Sequence, residues 1–99
     1  MQVEIKFRPM FKDVMLSGQK VMTCRAKKMG KPGDTFTIFD HTFAITHVFR
    51  VRLGHVVSDA FRQEGCGNSQ ELIEIWKGIH PVKGYDPEEI VWAHCFRKQ

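Results

Sequence analysis

The stretch DTFTIFDHTFAITHVFRVRL, Asp34 to Leu53, reads as two strands joined by a tight turn. Phe36 and Ile38 alternate with Thr35 and Thr37, the period of two expected of a half-buried strand. Asp40 and His41 supply the turn, and Thr42 to Leu53 returns as a long strand. Phe43, Ile45, Phe49, Val51 and Leu53 then fall on one face, which predicts that Phe43, Ile45, Phe49 and Val51 are buried together. His47 shares that face and is expected as a hydrogen-bonded interior histidine.

Toward the amino terminus, Val3, Ile5 and Phe7 alternate with Glu4, Lys6 and Arg8, predicting a strand that ends before Pro9. Phe11, Val14 and Met15 recur at helical spacing, with Gly18 as the stop. Val21 to Arg25 is extended, Met22 and Cys24 facing the core and Val21, Thr23 and Arg25 sharing the other face. Ala26 to Gly33, with Lys27, Lys28 and Lys31, is a solvated cationic loop.

Toward the carboxyl terminus, Gly54 to Arg62 is a short helix around Val56, Val57, Ala60 and Phe61. Asn68 and Glu71 resemble a capping box, and Leu72, Ile75, Trp76 and Ile79 form an apolar helical stripe that reads as core. His80 to Glu89 is a loop, and Ile90 to Arg97 is a closing strand. Residues 1–99 thus predict a single α+β domain, a small β-barrel or strongly curved mixed sheet with short flanking helices. A doubly wound parallel fold is excluded by the uneven strand spacing and by the lack of GxGxxG or GxxxxGK[ST].

Composition narrows the function classes. No apolar run approaches the roughly 18 residues of a membrane span, and MQVEIKFR does not read as a signal peptide. Cys24, Cys66 and Cys95 are odd in number and widely spaced, which argues against a disulfide framework and for a reducing, cytoplasmic setting. His41, His47, His55, His80 and His94 are scattered without CxxC, HxxxH or HExxH spacing, so neither a metal nor another cofactor is expected. A formal charge of +4 is compatible with a phosphate-bearing partner.

The segment LSGQKVMTCR, Leu16 to Arg25, sets a lysine, a threonine three residues later and an arginine after a Ser-Gly turn, with a Gly33-Asp34 turn downstream. In that order it resembles the signature of ASCH domains, β-barrels related to the PUA fold. The likeness extends to the Gln63-Glu64-Gly65 turn, the Trp76 helix and the Ile90-Val91-Trp92 strand. Within that superfamily the chain is similar in size and polar residues to small bacterial amidohydrolases that deacetylate N-acetylated cytidine. The resemblance implies Thr23 as nucleophile, Lys20 as proton acceptor and Glu64 as proton donor, with Glu71 and Glu74 as alternatives for the acidic member. Arg25 matches the arginine that ends the motif and is assigned to substrate binding.

That chemistry is coherent, because a threonine hydroxyl attacks an acyl carbon only if a base removes its proton, and a departing cytosine amine needs an acid. Lys20 and Thr23 would face opposite sides of a regular strand, so the site requires Lys20 in the turn or a bulge between them. Substitutions at Lys20, Thr23 and Glu64 are expected to leave folding intact. The alternative is a non-catalytic RNA or modified-nucleotide binding module, in which Lys27, Lys28, Lys31, Arg50 and Arg52 hold phosphates.

Overall fold

The computed structural model describes residues 1–99. Strands β1 (Met22–Arg25), β2 (Thr35–Ile38), β3 (His41–Arg52) and β4 (Ile90–Lys98) form one antiparallel sheet in the order β1-β4-β3-β2. The sheet curls into half a barrel, flanked by helices α1 (Lys12–Leu16), α2 (Leu53–Asp59) and α3 (Ser69–Ile79). This is the α+β, strongly curved architecture that the alternation predicts. No helix is long and apolar enough to cross a membrane.

The decisive hairpin forms one residue earlier than expected. Ile38 pairs with His41, and the turn residues are Phe39 and Asp40, at φ 56° and 63°. Positive φ at both central positions is the geometry whose twist matches that of the flanking strands.

β3 does not keep its alternation. Ile45 pairs with Phe96 and His47 with Cys95, leaving Thr46 as the extra residue of a bulge. One added residue flips every later side chain to the opposite face. Phe43 and Ile45 therefore pack with Phe36 and Phe96 on one side of the sheet, and Val48 continues that side. Val51 packs on the other side, Phe49 is 42% exposed and His47 points to solvent, so the expected four-residue cluster is split and His47 is not interior. The interior histidine is His94, fully buried opposite Val48 and Thr23.

The two sides of the sheet carry two cores. One gathers Ile5, Phe11, Met15, Phe36, Phe43, Ile45 and Phe96, with ring centroids of Phe36, Phe43 and Phe96 5.3–5.6 Å apart. The other joins Met22, Cys24, Val91 and Ala93 of the sheet to Leu53, Val56, Leu72 and Trp76 of the helices. Each such aromatic or aliphatic side chain contributes roughly 1.5–3 kcal/mol on burial.

The amino-terminal segment is extended but is not a sheet strand. Gln2 makes a single bridge with Thr35, and the Val3 N–H donates to the Thr35 carbonyl at 2.8 Å. The alternation is real, since Ile5 is buried and Glu4 and Lys6 are exposed, but packing satisfies it rather than a ladder. β2 is four residues long, and beyond that one bridge the segment turns away toward β1, where the Lys6 carbonyl accepts from Arg25 at 2.9 Å. Asn68 caps α3 by accepting from the Glu71 N–H at 2.8 Å, and the Glu71 carboxylate accepts from the Gly67 N–H at 3.3 Å.

Candidate functional site

β1 is an edge strand, and the chain entering it creates the site. Lys20 lies before β1, in an isolated antiparallel bridge with Glu64. The N–H groups of Val21 and Met22 both donate to the Gln63 carbonyl, at 2.8 and 3.1 Å. Two successive amides on one carbonyl is the pattern of a bulge. It resets the alternation, and Lys20 and Thr23 line one cavity. Gly65 lets the opposing turn close in: at φ 87°, it sits where a Cβ would lie 3.0 Å from the Lys20 Cβ.

Lys20 and Glu64 are each only 4% exposed. The Lys20 ammonium nitrogen donates to Glu64 Oε1 at 2.9 Å, to the Met22 carbonyl at 2.9 Å and to the Glu64 carbonyl at 3.2 Å. Three donors meet three acceptors, and the Phe11 ring covers the nitrogen at 4.8 Å. Glu71 and Glu74 are exposed, the first capping α3 and the second accepting from Gln70, so Glu64 is the carboxylate that meets Lys20. So deep a pair also revises the expectation that changes here spare folding, because a buried charge left without its partner is costly.

Thr23 is buried, and its hydroxyl oxygen accepts from Arg25 Nε at 3.2 Å. Arg25 lies over the Phe7 ring at 4.9 Å. Burial lowers its pKa from the ordinary arginine value, and the Glu64 carboxylate opposes that shift. The three cysteines carry free thiols. Burial, then the Glu64 charge, pushes the Cys24 thiol far up, burial pushes Cys66 up to about 11, and burial raises Cys95. Such shifts favour the protonated thiols.

The cavity holds about 170 Å³ between the β1 edge, the amino-terminal segment and α3. A dry cavity of about 150 Å³ accommodates a benzene ring. This one therefore suits a single ring with a small substituent. Phe7 and Phe11 form one wall and Leu72, Ile75, Trp76 and Ile79 the other. The sequence shows the α3 stripe as core, and Leu72 and Trp76 are core; that the stripe also faces an edge strand is a tertiary fact with no local signal. No protein group accepts from the buried Trp76 indole N–H, and the His80 ring lies 4.5 Å from the Trp76 ring.

His94 ties the backbone of β1 to the loop that follows it. Its Nε2 accepts from the Met29 N–H at 2.9 Å, so its proton sits on Nδ1, which donates to the Thr23 carbonyl at 3.4 Å. Burial lowers its pKa from the ordinary histidine value. No group of three or more His, Cys, Asp and Glu side chains converges as a metal site.

No family model matches the sequence, and no curated protein is significantly similar to it. Solved structures do share its fold. An ASCH domain from Lactobacillus crispatus JV V101 superposes with a TM-score of 0.63 at 19% identity, covering 87% of this chain and 68% of that one. The hypothetical protein PH0355 gives 0.74 at 14% identity over the whole of both chains. Protein EF3133 from Enterococcus faecalis V583, assigned to DUF984, gives 0.61 at 19% identity over 90% of this chain and 69% of that one. The chain has the ASCH, PUA-like fold.

Proposed function

We propose that the protein is an amidohydrolase that removes the acyl group from N-acylated cytidine or a related modified nucleoside. The supporting observation is the buried Lys20–Glu64 pair, 2.9 Å apart, in the same ring-sized cavity as Thr23. Transfer of one proton along that bond turns ammonium and carboxylate into amine and carboxylic acid, a base and an acid in one neutral unit. Thr23 Oγ1 attacks the acyl carbon as Lys20 takes the hydroxyl proton. The carbon–nitrogen bond breaks as Glu64 protonates the leaving exocyclic amine, which leaves an acyl-threonine and restores the ion pair. Water then attacks the acyl carbon, Glu64 taking its proton and Lys20 returning one to the threonine oxygen. The sum is amide plus water giving amine plus carboxylic acid. Arg25, already bonded to Thr23 Oγ1, is in reach to hold the developing oxyanion, an effect commonly worth about 3 kcal/mol. The Trp76 indole N–H is a donor for a carbonyl oxygen of the substrate.

A non-catalytic module that binds a modified nucleotide is the second reading. It is favoured by the full commitment of Lys20 to three acceptors, one of which must open before the amine can act as a base. Incubation of purified protein with N-acetylcytidine, followed by the ultraviolet shift on deacylation, separates the two. Turnover that disappears in Thr23→Ala upholds the hydrolase; saturable binding without turnover upholds the binding module.

A further inference from the structure

The cavity takes a ring but has no room for a phosphate, and the surface at its mouth has an unusual charge arrangement. Arg25 pairs with Trp92 across β1 and β4, and Trp92 pairs with Arg50 across β4 and β3, so the three lie in one row across the sheet. Arg25 is itself a cavity residue, so the row begins at the mouth and runs outward. Strands lie about 4.8 Å apart, which sets the Arg25 and Arg50 backbones about 10 Å from each other. Lys28 joins them from the following loop, its ammonium 5.7 Å from the centre of the Trp92 ring, and the Arg50 guanidinium lies 5.9 Å from that centre.

Two cations thus flank one indole, a third, Arg25, stands at the end of the same row with its guanidinium over Phe7, and none is within ion-pairing distance of a carboxylate. Arg52, two residues beyond Arg50, is by contrast answered by Glu88 at 3.4 Å. Like charges gathered without a counter-charge repel, and the cation–π contacts offset only part of that repulsion. Lys28 is also not on a free loop, because the neighbouring Met29 N–H is bonded to buried His94 at 2.9 Å. The backbone that carries Lys28 is thus fixed before any ligand arrives.

We infer that Lys28 and Arg50, flanking Trp92 in the row that starts at cavity residue Arg25, form a subsite for the phosphate of a nucleotide whose pyrimidine ring occupies the cavity. The inference rests on the reading of the cavity as a nucleoside pocket and extends it to the phosphorylated substrate. Arginine forks suit phosphate oxygens, and lysine adds a point charge. The phosphate belongs to a mononucleotide or to a single-stranded RNA carrying the modified base.

Binding of cytidine, cytidine 3′- and 5′-monophosphate and a short single-stranded RNA containing one cytidine, followed by tryptophan fluorescence at low and high salt, tests this. A phosphorylated ligand should bind on the order of tenfold tighter than cytidine at low salt. The gain should shrink at high salt, survive Arg52→Ala and vanish in Lys28→Ala/Arg50→Ala. A gain already present with a monophosphate assigns the site to nucleotides, and a gain confined to the oligonucleotide assigns it to a strand. Equal affinity for all four ligands, or a gain that survives the double variant, overturns the subsite. Because binding is read without turnover, a protein that binds phosphorylated ligands in this way but hydrolyses no acylated nucleoside loses the hydrolase reading and keeps the subsite.

Discussion

Lys20 and Glu64, 44 residues apart in the chain, meet at 2.9 Å with only 4% of each exposed. The contact ties the entry of edge strand β1 to the turn that precedes α3, a connection that otherwise consists of one bridge and the shared Gln63 carbonyl. Burial removes water from both charges, and their attraction plus the two carbonyl bonds to Lys20 compensates. A pair of this kind is an expensive way to hold two segments together. That favours a chemical role for it over a merely structural one.

Breaking the pair on one side should therefore destabilise the fold. Lys20→Met strands a carboxylate and Glu64→Leu strands an ammonium, and each should lower unfolding stability by about 3–5 kcal/mol. The double variant Lys20→Met/Glu64→Leu should recover much of that loss while remaining inactive. Urea denaturation of the three proteins measures it; single variants as stable as the parent would mean that the pair is solvated rather than buried.

Thr23 should behave differently. Its hydroxyl bonds only Arg25, so Thr23→Ala removes little packing, and stability should fall by no more than about 1–2 kcal/mol. Activity on N-acetylcytidine should fall by about a thousandfold or more, with Thr23→Ser keeping a measurable part of it. If Thr23 and Lys20 act in one step, adding Lys20→Met to Thr23→Ala should cost little further rate. A folded Thr23→Ala protein with near-parental kcat/KM would sink the mechanism.

Much of this is legible in the sequence, and the illegible part has a common cause. The hairpin, the α3 stripe and its Asn68 cap follow from local period and capping chemistry, which neighbours in the chain determine. Lys20, Thr23 and Arg25 are visible because a resemblance fixes their order, and the need for a bulge between Lys20 and Thr23 follows from strand parity alone. The bulge at Thr46 is not legible. It exists because Ile45 and Val51 serve cores on opposite sides of the sheet, a demand set by distant residues such as Phe96 and Val91. His47, expected inside, faces solvent for that reason. The amino-terminal alternation misleads in another way, since burial of Ile5 produces the same pattern whether or not a partner strand is present.

Trp76 offers a separate test. Its buried indole N–H has no acceptor in the protein, so Trp76→Phe keeps the ring wall and deletes only the unsatisfied donor and some volume. If the donor serves the substrate, kcat/KM should fall about tenfold or more. The stability loss should be smaller than for an ordinary truncation of a buried aromatic, because a desolvated, unbonded group is removed with it. Unchanged kinetics in a stable Trp76→Phe protein would return Trp76 to a packing role.

His94 predicts how stability responds to pH. Its ring is fully buried and accepts the Met29 N–H at Nε2, so protonation would set an N–H against an N–H and place a charge near Arg25 and Lys28. Burial, the largest cause, holds the folded-state pKa below the ordinary value of 6.5. The unfolded chain therefore takes up the proton first as pH falls, and stability must decline with it. The contribution of His94 should be complete above pH 6.5 and lost progressively as pH falls below it toward the folded-state pKa. His94→Gln retains an acceptor for Met29 and does not titrate, so it should flatten the profile. Urea midpoints at about pH 7.5 and pH 5 for both proteins decide the matter. A parental midpoint that does not fall between them, or an equal fall in His94→Gln, would show that His94 is not the group responsible.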